Sequence, residues 1–338
     1  MSAFAPAAWI AGGAGVAAAA GAALAWGALE AGRLQIEYLR FHVQREGLAL
    51  DRRATLPAGA AACRGRQASS SVLERPGRTM RLAHLTDLHL HRRPGRSHRD
   101  ALRCTEALGA HLAIVTGDFM DRASRPGAPL GYVLELARRV QVAVVWGNHD
   151  HERPERLLAL WRALEEAGVW VLVNRHVVLE SPAGTVRLVG VDTPDLGYDR
   201  YTQATDLPPL LHARWDEPSG IWMRGQPDPS QTAGGVGARR PAMEVVAAHT
   251  YHVIEHNPSA MDGALVIVGD THGGQIDLPL LGPVWARWMH HHRFVRGLFR
   301  TGRVWLYVNR GVGTIGVPLR LRCPPELAII DLSAWGSP

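Results

Sequence analysis

At 338 residues and 46% hydrophobic, the chain can bury one large core or two small ones, so a globular enzyme is within its reach. Its formal charge of +6 comes from 37 Lys plus Arg against 31 Asp plus Glu, spread along the whole length. That balance suits an anionic partner, such as a membrane surface or a phosphorylated substrate, better than nucleic acid. Cys63, Cys104 and Cys323 are odd in number, far apart and without a CxxC pair, which argues against both a disulfide framework and a thiolate zinc site.

In chain order, Met1 to Leu29 carries no charged side chain, and its Ala/Gly-rich run AAWIAGGAGVAAAAGAALAWGAL is long enough to cross a bilayer about 30 Å thick. Residues 1–32 therefore read as a single-pass anchor; neither a basic n-region nor a clean cleavage site marks them as a signal peptide. Arg33, Arg40, Arg45, Arg52 and Arg53 follow, and a positive flank favours a cytoplasmic catalytic part. Residues 33–78 read as a juxtamembrane segment and linker, ending in a stretch of small residues with no apolar period.

From residue 79 onward, short apolar runs alternate with amphipathic segments. Strands are expected at 81–86, 112–116, 142–146, 169–173, 186–191, 244–249, 264–268, 304–308 and 327–331. Helices are expected between several of them, including HRDALRCTEALG and PERLLALWRALEEAG, the latter with Pro154 in its first turn. Strands this apolar are covered on both faces, so residues 79–338 read as one α/β layered domain. Residues 198–240, rich in Pro, Gly, Asp and Gln, are too long for an ordinary connection and read as an irregular insertion or lid.

The strand ends carry the chemistry. Run 81–86 ends in Asp87-Leu88-His89, run 112–116 in Gly117-Asp118-Phe119-Met120-Asp121, and run 142–146 in Gly147-Asn148-His149-Asp150; later runs end in His249 and in Asp270-Thr271-His272. In open α/β sheets the ligand site gathers beyond the carboxyl ends of the strands, so these residues can converge. Carboxylate, imidazole and amide oxygen make a hard ligand set, and two cations about 3.5 to 4 Å apart would activate water and polarise a phosphoryl group.

DLH, GDFMD, GNHD, a strand-terminal His and GDTHGGQ resemble the five motifs of the calcineurin-like metallophosphoesterases, in the family's order. The GGQ extension, LYVNRGVGTIGVPLRL and CPPELAIIDL are similar to a bacterial membrane-associated branch that includes UDP-2,3-diacylglucosamine pyrophosphohydrolase-like phosphodiesterases. The resemblance covers residues 79 to 333. It implies a four-layer αββα sandwich behind an N-terminal transmembrane helix. It also implies two divalent metal ions, with Asp87, His89, Asp118 and His272 on the first, and with Asp118 bridging to a second completed by Asn148, His249 and Asp270. His149 would serve the leaving oxygen, with Asp150 orienting it and Asp121 bracing its neighbours. The expected activity is hydrolysis of a phosphodiester or pyrophosphate, of a lipid-linked substrate, by hydroxide held at the metals. Alternatives are a soluble nucleotide or phosphomonoester hydrolase, and a catalytically weak metal-binding membrane scaffold.

His249 is preferred over His252 and His256 because it terminates its strand and leaves room for one helix before the next. Asp270 stands where the family motif GHTHGGQ has histidine; an oxygen ligand there favours Mn2+ over Zn2+, with Fe or Ni2+ also possible. The segment VWARWMHHHRFVRGLFR suits either a lipid-facing lid or an ordinary amphipathic element, and its His290 to His292 triplet reads as exposed. Arg310 could contact a substrate phosphate or lie in a solvated loop.

Overall fold

The computed structural model describes residues 21–44, 47–51, 78–125, 127–225, 243–283, 286 and 293–334. Residues 1–20 of the expected anchor, residues 52–77, residues 226–242 and the His290 to His292 triplet lie outside them.

Helix α1 (21–30) is followed by β1 (Gln35–Gln44), β2 (Gly47–Leu50), β3 (Thr79–Leu85), α2 (Arg96–Ala107), β4 (Leu112–Thr116), α3 (Gly127–Ala137), β5 (Gln141–Val145), α4 (Pro154–Glu166) and β6 (Trp170–Val171). Next come β7 (Arg175–Ser181), β8 (Gly184–Gly190), α5 (Tyr201–Asp206), β9 (His212–Asp216), β10 (Ile221–Arg224), β11 (Met243–Ala247), α6 (His252–His256) and β12 (Leu265–Val268). A small pair, β13 (Asp277–Leu278) and β14 (Gly282–Pro283), precedes β15 (Gly297–Thr301), β16 (Val304–Val308) and β17 (Glu326–Ser333).

The strands form two large sheets, ordered β2-β1-β17-β3-β4-β5-β6 and β10-β9-β7-β8-β11-β12-β16-β15. Successive side chains of a strand point to opposite faces, and both faces here are apolar. Leu82, Ile114 and Val145 of the first sheet meet Leu188, Val245 and Ile267 of the second. On the far side of the first sheet, Leu85, Val115 and Val144 pack under Leu102, Val133, Leu136 and Leu160 of helices α2 to α4. On the far side of the second, Val246, Val266 and Leu306 pack under Tyr201, Ala204, Val253 and Ile254 of α5 and α6. Two large sheets thus pack face to face, with helices on the outer face of each.

Two expectations need correction. The segment after the anchor is not a linker throughout: β1 lies parallel to β17, with Phe41 paired to Leu332, so the domain begins well before residue 79. Leu39, Phe41 and Val43 alternate toward the core between the sheets, while Ile36 and Tyr38 turn toward the helix layer. Charged residues between them mask that two-residue period. Likewise, residues 198–225 are ordered: α5 caps the second sheet, and the antiparallel pair β9–β10 extends its edge through a parallel contact of β9 with β7.

Among the described residues, no helix is long and apolar enough to cross a membrane. Helix α1 is docked on the domain at its C-terminal end. The Arg320 amide donates to the Gly27 carbonyl at 3.0 Å, and buried Glu30 accepts from the Arg322 amide at 3.0 Å and from Trp26 Nε1 at 2.9 Å.

A buried ion pair clamps the centre of the first sheet. Arg81 on β3, 1% exposed, donates to both carboxylate oxygens of Asp331 on β17 at 2.7 and 2.8 Å and to the Leu108 carbonyl at 2.8 Å. Tyr38 on β1 adds a hydrogen bond to Asp331 at 2.7 Å, and burial together with that carboxylate pushes its hydroxyl up to about 12. Removing one member leaves an uncompensated charge in the core. Asp331→Ala is expected to lower unfolding free energy by about 3–5 kcal/mol, and Arg81→Met with Asp331→Leu by far less. Urea denaturation of both variants checks this; equal losses would show that packing, not the orphaned charge, dominates.

Candidate metal centre

The parallel strands β3, β4, β5, β11 and β12 deliver their carboxyl ends to one edge of the two sheets, where the loops carry the predicted residues. Two groups of ligand atoms, each within 4.8 Å of one another, lie there: Asp87, His89 and His272, and Asp87, Asp118 and His249. All five residues are buried.

The atoms that meet are carboxylate oxygens and imidazole nitrogens. His249 Nδ1 lies 2.8 Å from the Thr116 carbonyl, so it must carry a proton and donate, which aims Nε2 at the carboxylates. That Nε2, buried and without a hydrogen-bond partner, lies 3.4 Å from Asp118 and 3.6 Å from Asp270. His89 Nε2 and His272 Nε2 face each other at 3.0 Å, with Asp118 3.4 Å from the first and Asp87 3.4 Å from the second. The Asn148 side-chain oxygen is also buried without a partner. Lone pairs crowded in this way call for cations, and hard oxygen with imidazole suits first-row divalent ions.

The electrostatics agree. Burial pushes the Asp87 carboxyl up to about 6, with Asp118 adding to the rise, and pushes Asp270 up to about 7. Burial opposes the charge on Asp118 too, but His249 and His89 hold that carboxyl well below the usual range. Burial holds His89 down to about 4 and His272 well below the ordinary imidazole value, so both present neutral rings. His249 is the exception: burial opposes its charge, yet Asp118, Asp87 and Asp270 raise it well above that value.

The backbone is bent to make this possible. Asp87, His89, Asp118, Asp270 and His272 all adopt positive φ, between 41° and 72°, where a side chain costs about 1–2 kcal/mol per residue. Half of the ten non-glycine residues in that region among those described are thus predicted metal ligands. Strain of this kind persists where the surroundings enforce it and marks functional positions. Two glycines open the space: a Cβ on Gly117 would lie 2.7 Å from His249 Nδ1, and one on Gly269 would lie 2.3 Å from an Asp87 carboxylate oxygen.

The structure brings together Asp87, His89, Asp118, His249, Asp270 and His272, and leaves the Asn148 side-chain oxygen buried in the loop after β5. His252 and His256 instead pair with Asp195 and Asp199, at 2.6 and 3.1 Å. Asp270 occupies the expected place, its side chain toward His249 and its amide 3.1 Å from Asp87. Asp121 lies 3.9 Å from His89 Nδ1.

Asp150 does not orient His149. Fully buried, it accepts from the amides of Phe119, Met120 and Gly147 at 3.0, 3.2 and 2.9 Å, bracing the two ligand loops against each other. Burial, reinforced by Asp118, pushes its carboxyl up to about 7. The carboxylate facing His149 is Glu152, 3.1 Å from Nδ1, one turn further on. Arg310 is turned away as well, its guanidinium paired with Glu326 and 3.8 Å from Glu37.

Nothing in the sequence marks Arg320. Fully buried, it donates to the carbonyls of Arg310, Gly311, Gly313, Cys323 and His272, and so ties the loop after β16 to the metal loop. Cys323 Sγ adds bonds to the carbonyls of His272 and Gly273.

Two stacked sheets that deliver a strained, buried cluster of carboxylates and imidazoles define a class: hydrolases that act on phosphoester bonds through divalent cations. The family model for calcineurin-like phosphoesterases matches residues 80–274, and the chain belongs to that family, whose members work with a dinuclear centre. It is similar to the phosphodiesterase YaeI of Escherichia coli, 29% identical over 232 residues, 65% of this chain and 70% of that one. It is also similar to the metallophosphoesterase YkoQ of Bacillus subtilis, 26% identical over 253 residues, 73% and 82% of the two chains. Among solved structures, a dimetal phosphatase from Danio rerio aligns at 16% identity over 69% of this chain and 88% of that one, with a TM-score of 0.38, too remote to argue from.

Ions that bind only the folded chain stabilise it by mass action. Metal-free protein supplied with Mn2+ at about 100 times its Kd should gain about 2.7 kcal/mol, and Asp118→Asn should lose most of that gain. Thermal unfolding with and without the ion measures both; an unmoved midpoint in the parent chain would speak against the centre.

Proposed function

We propose that the protein is a membrane-tethered phosphodiesterase that cleaves a phosphodiester or pyrophosphate of a lipid-linked substrate at a centre of two divalent ions. The observation that carries the reading is the shared carboxylate geometry. Asp87 belongs to both ligand groups, and Asp118 lies 3.4 Å from His89 Nε2 on one side and 3.4 Å from His249 Nε2 on the other. A carboxylate between two sets of imidazoles is suited to bridge a pair of ions. Such ions supply Lewis acidity and lower the pKa of water enough to make a nucleophile at neutral pH.

Asp87, His89, Asp118 and His272 would hold one ion, and Asn148, His249 and Asp270, with Asp118 shared, would complete the other. The choice of a diester draws on the phosphodiesterase YaeI, and the lipid on the uncharged first twenty residues and the resemblance to a membrane-associated branch. Mn2+ is the favoured ion because the set contains three carboxylates and an amide oxygen beside its imidazoles.

His149 sits at the rim, its side chain 23% exposed and its ring edge-on to His89 at 5.3 Å. Its amide donates to Asp118 at 3.0 Å, which fixes the residue relative to the ions. Glu152 lies on the Nδ1 side at 3.1 Å without a hydrogen bond to it, and Nε2 is the atom left to serve the leaving oxygen. A positioned acid is worth about 10²–10⁴ in rate, less when the leaving group is already a weak base.

Purified full-length protein with Mn2+ is expected to hydrolyse bis(4-nitrophenyl) phosphate, and Asp118→Asn to abolish the activity. His149→Ala should slow a diester with an alkyl leaving group by about 10²–10⁴ and the nitrophenyl diester much less. Glu152→Gln should follow the same pattern with a smaller loss. Initial rates on the two substrates decide it; equal losses on both would remove His149 from the leaving-group role.

Asp270 generates a second test. Asp270→His replaces a hard oxygen by imidazole nitrogen and should raise turnover with Zn2+ relative to Mn2+ while leaving two ions bound. Metal analysis and rates with each ion measure this; a large gain with both ions would mark the native centre as impaired.

A further inference from the structure

A groove of about 370 Å³ leads away from the metal centre. His89, a metal-ligand candidate, lines it beside Thr314; one wall is Ala28, Ala31 and Gly32 at the end of α1, and the other is the loop before α2 with Arg93 and Arg96. The N-terminal segment thus forms part of the approach to the reacting centre and does more than tether it.

The outside of the same helix is apolar. Leu24, Trp26 and Leu29 are 58%, 51% and 66% exposed, far more than such side chains usually are when a protein surface covers them. Arg92, Arg93 and Arg96 are exposed beside the groove, and the Arg33 guanidinium lies over the Trp26 ring at 5.9 Å. An apolar face flanked by arginines matches the boundary between acyl chains and anionic head groups. The twenty residues that precede Gly21 contain no charged side chain, so the sequence leading into this helix suits lipid as well.

We infer that the groove is a substrate subsite that takes the lipid-side ester of a membrane phosphodiester, which enters sideways from the bilayer between α1 and the arginine loop. The small side chains of Ala28, Ala31 and Gly32 leave room for the first methylene or glyceryl groups next to the phosphate. Arg93 and Arg96 offer forked donors to oxygens at head-group level. The scissile phosphate then lies at the His89 end, with the leaving group on the His149 side. This inference rests on the phosphodiesterase reading above.

Two diesters with the same leaving group separate the two. Methyl 4-nitrophenyl phosphate in solution reports the metal centre alone, and hexadecyl 4-nitrophenyl phosphate in phosphatidylcholine vesicles must also place an alkyl chain. The full-length protein with Mn2+ is assayed on both, beside Ala28→Trp, which fills the groove from an exposed position, and Arg93→Ala. Each variant is scored by the ratio of kcat/KM for the hexadecyl and methyl esters, which a loss of folded enzyme cannot move. Ala28→Trp is expected to lower that ratio about tenfold, the worth of excluding a couple of methylene groups, with a smaller drop for Arg93→Ala. An unchanged ratio in Ala28→Trp overturns the subsite while leaving the phosphodiesterase intact. A parent protein that cleaves neither ester overturns both.

Discussion

The structure is organised around a concentration of lone pairs that water does not relieve. Asp87, Asp118 and Asp270 lie close to His89, His249 and His272; Asp87 and Asp118 each accept from one backbone amide, whereas neighbouring Asp150 accepts from three. Carboxylates and ring nitrogens crowded together in this way satisfy one another poorly, and burial raises the cost of leaving them so. A cation resolves the conflict at once. The elements around the cluster read as means of holding that conflict in place until the ions arrive.

That holding is done by backbone more than by side chains. Strands from both sheets end at one edge, and at five ligand positions the chain turns into the left-handed region to aim a side chain inward. Asp150 fastens the loop after β4 to the loop after β5, and Arg320 fastens the loop after β16 to the His272 carbonyl. The guanidinium spends its donors on carbonyls, so it rigidifies the loop without neutralising any ligand. Rigid support of this sort is what a two-ion centre needs, because small displacements of a ligand are costly in rate.

How much of this the sequence discloses depends on the kind of signal. The ligand set is legible because metal chemistry restricts residue type and strand ends restrict place. Asp, His and Asn recurring after apolar runs suit few chemistries besides cation binding. The roles of Asp150 and Glu152 are not legible: both are acids within three residues of His149, and only the turn of the chain decides which one faces the ring. β1 is hidden for another reason. Its core-facing residues are interleaved with Arg40 and Glu37, and those charges stand at a sheet edge region where Tyr38, Asp51 and Arg310 can receive them. Arg320 gives no sign at all, since a buried arginine bonded to carbonyls looks in sequence like any surface arginine.

The place of β17 has a consequence for how the protein comes into being. Residues Glu326–Ser333 lie between β1 and β3, parallel to the one and antiparallel to the other. The last strand in sequence is therefore an interior strand of the sheet that carries Asp87 and His89, and Asp331 is the partner that Arg81 requires. Contacts between such distant parts of a chain form slowly, because the long loop must close before they stabilise anything. On a ribosome the sheet stays split until Glu326–Ser333 has emerged, so the chemistry carried by Asp87 and His89 waits for a strand made long after them.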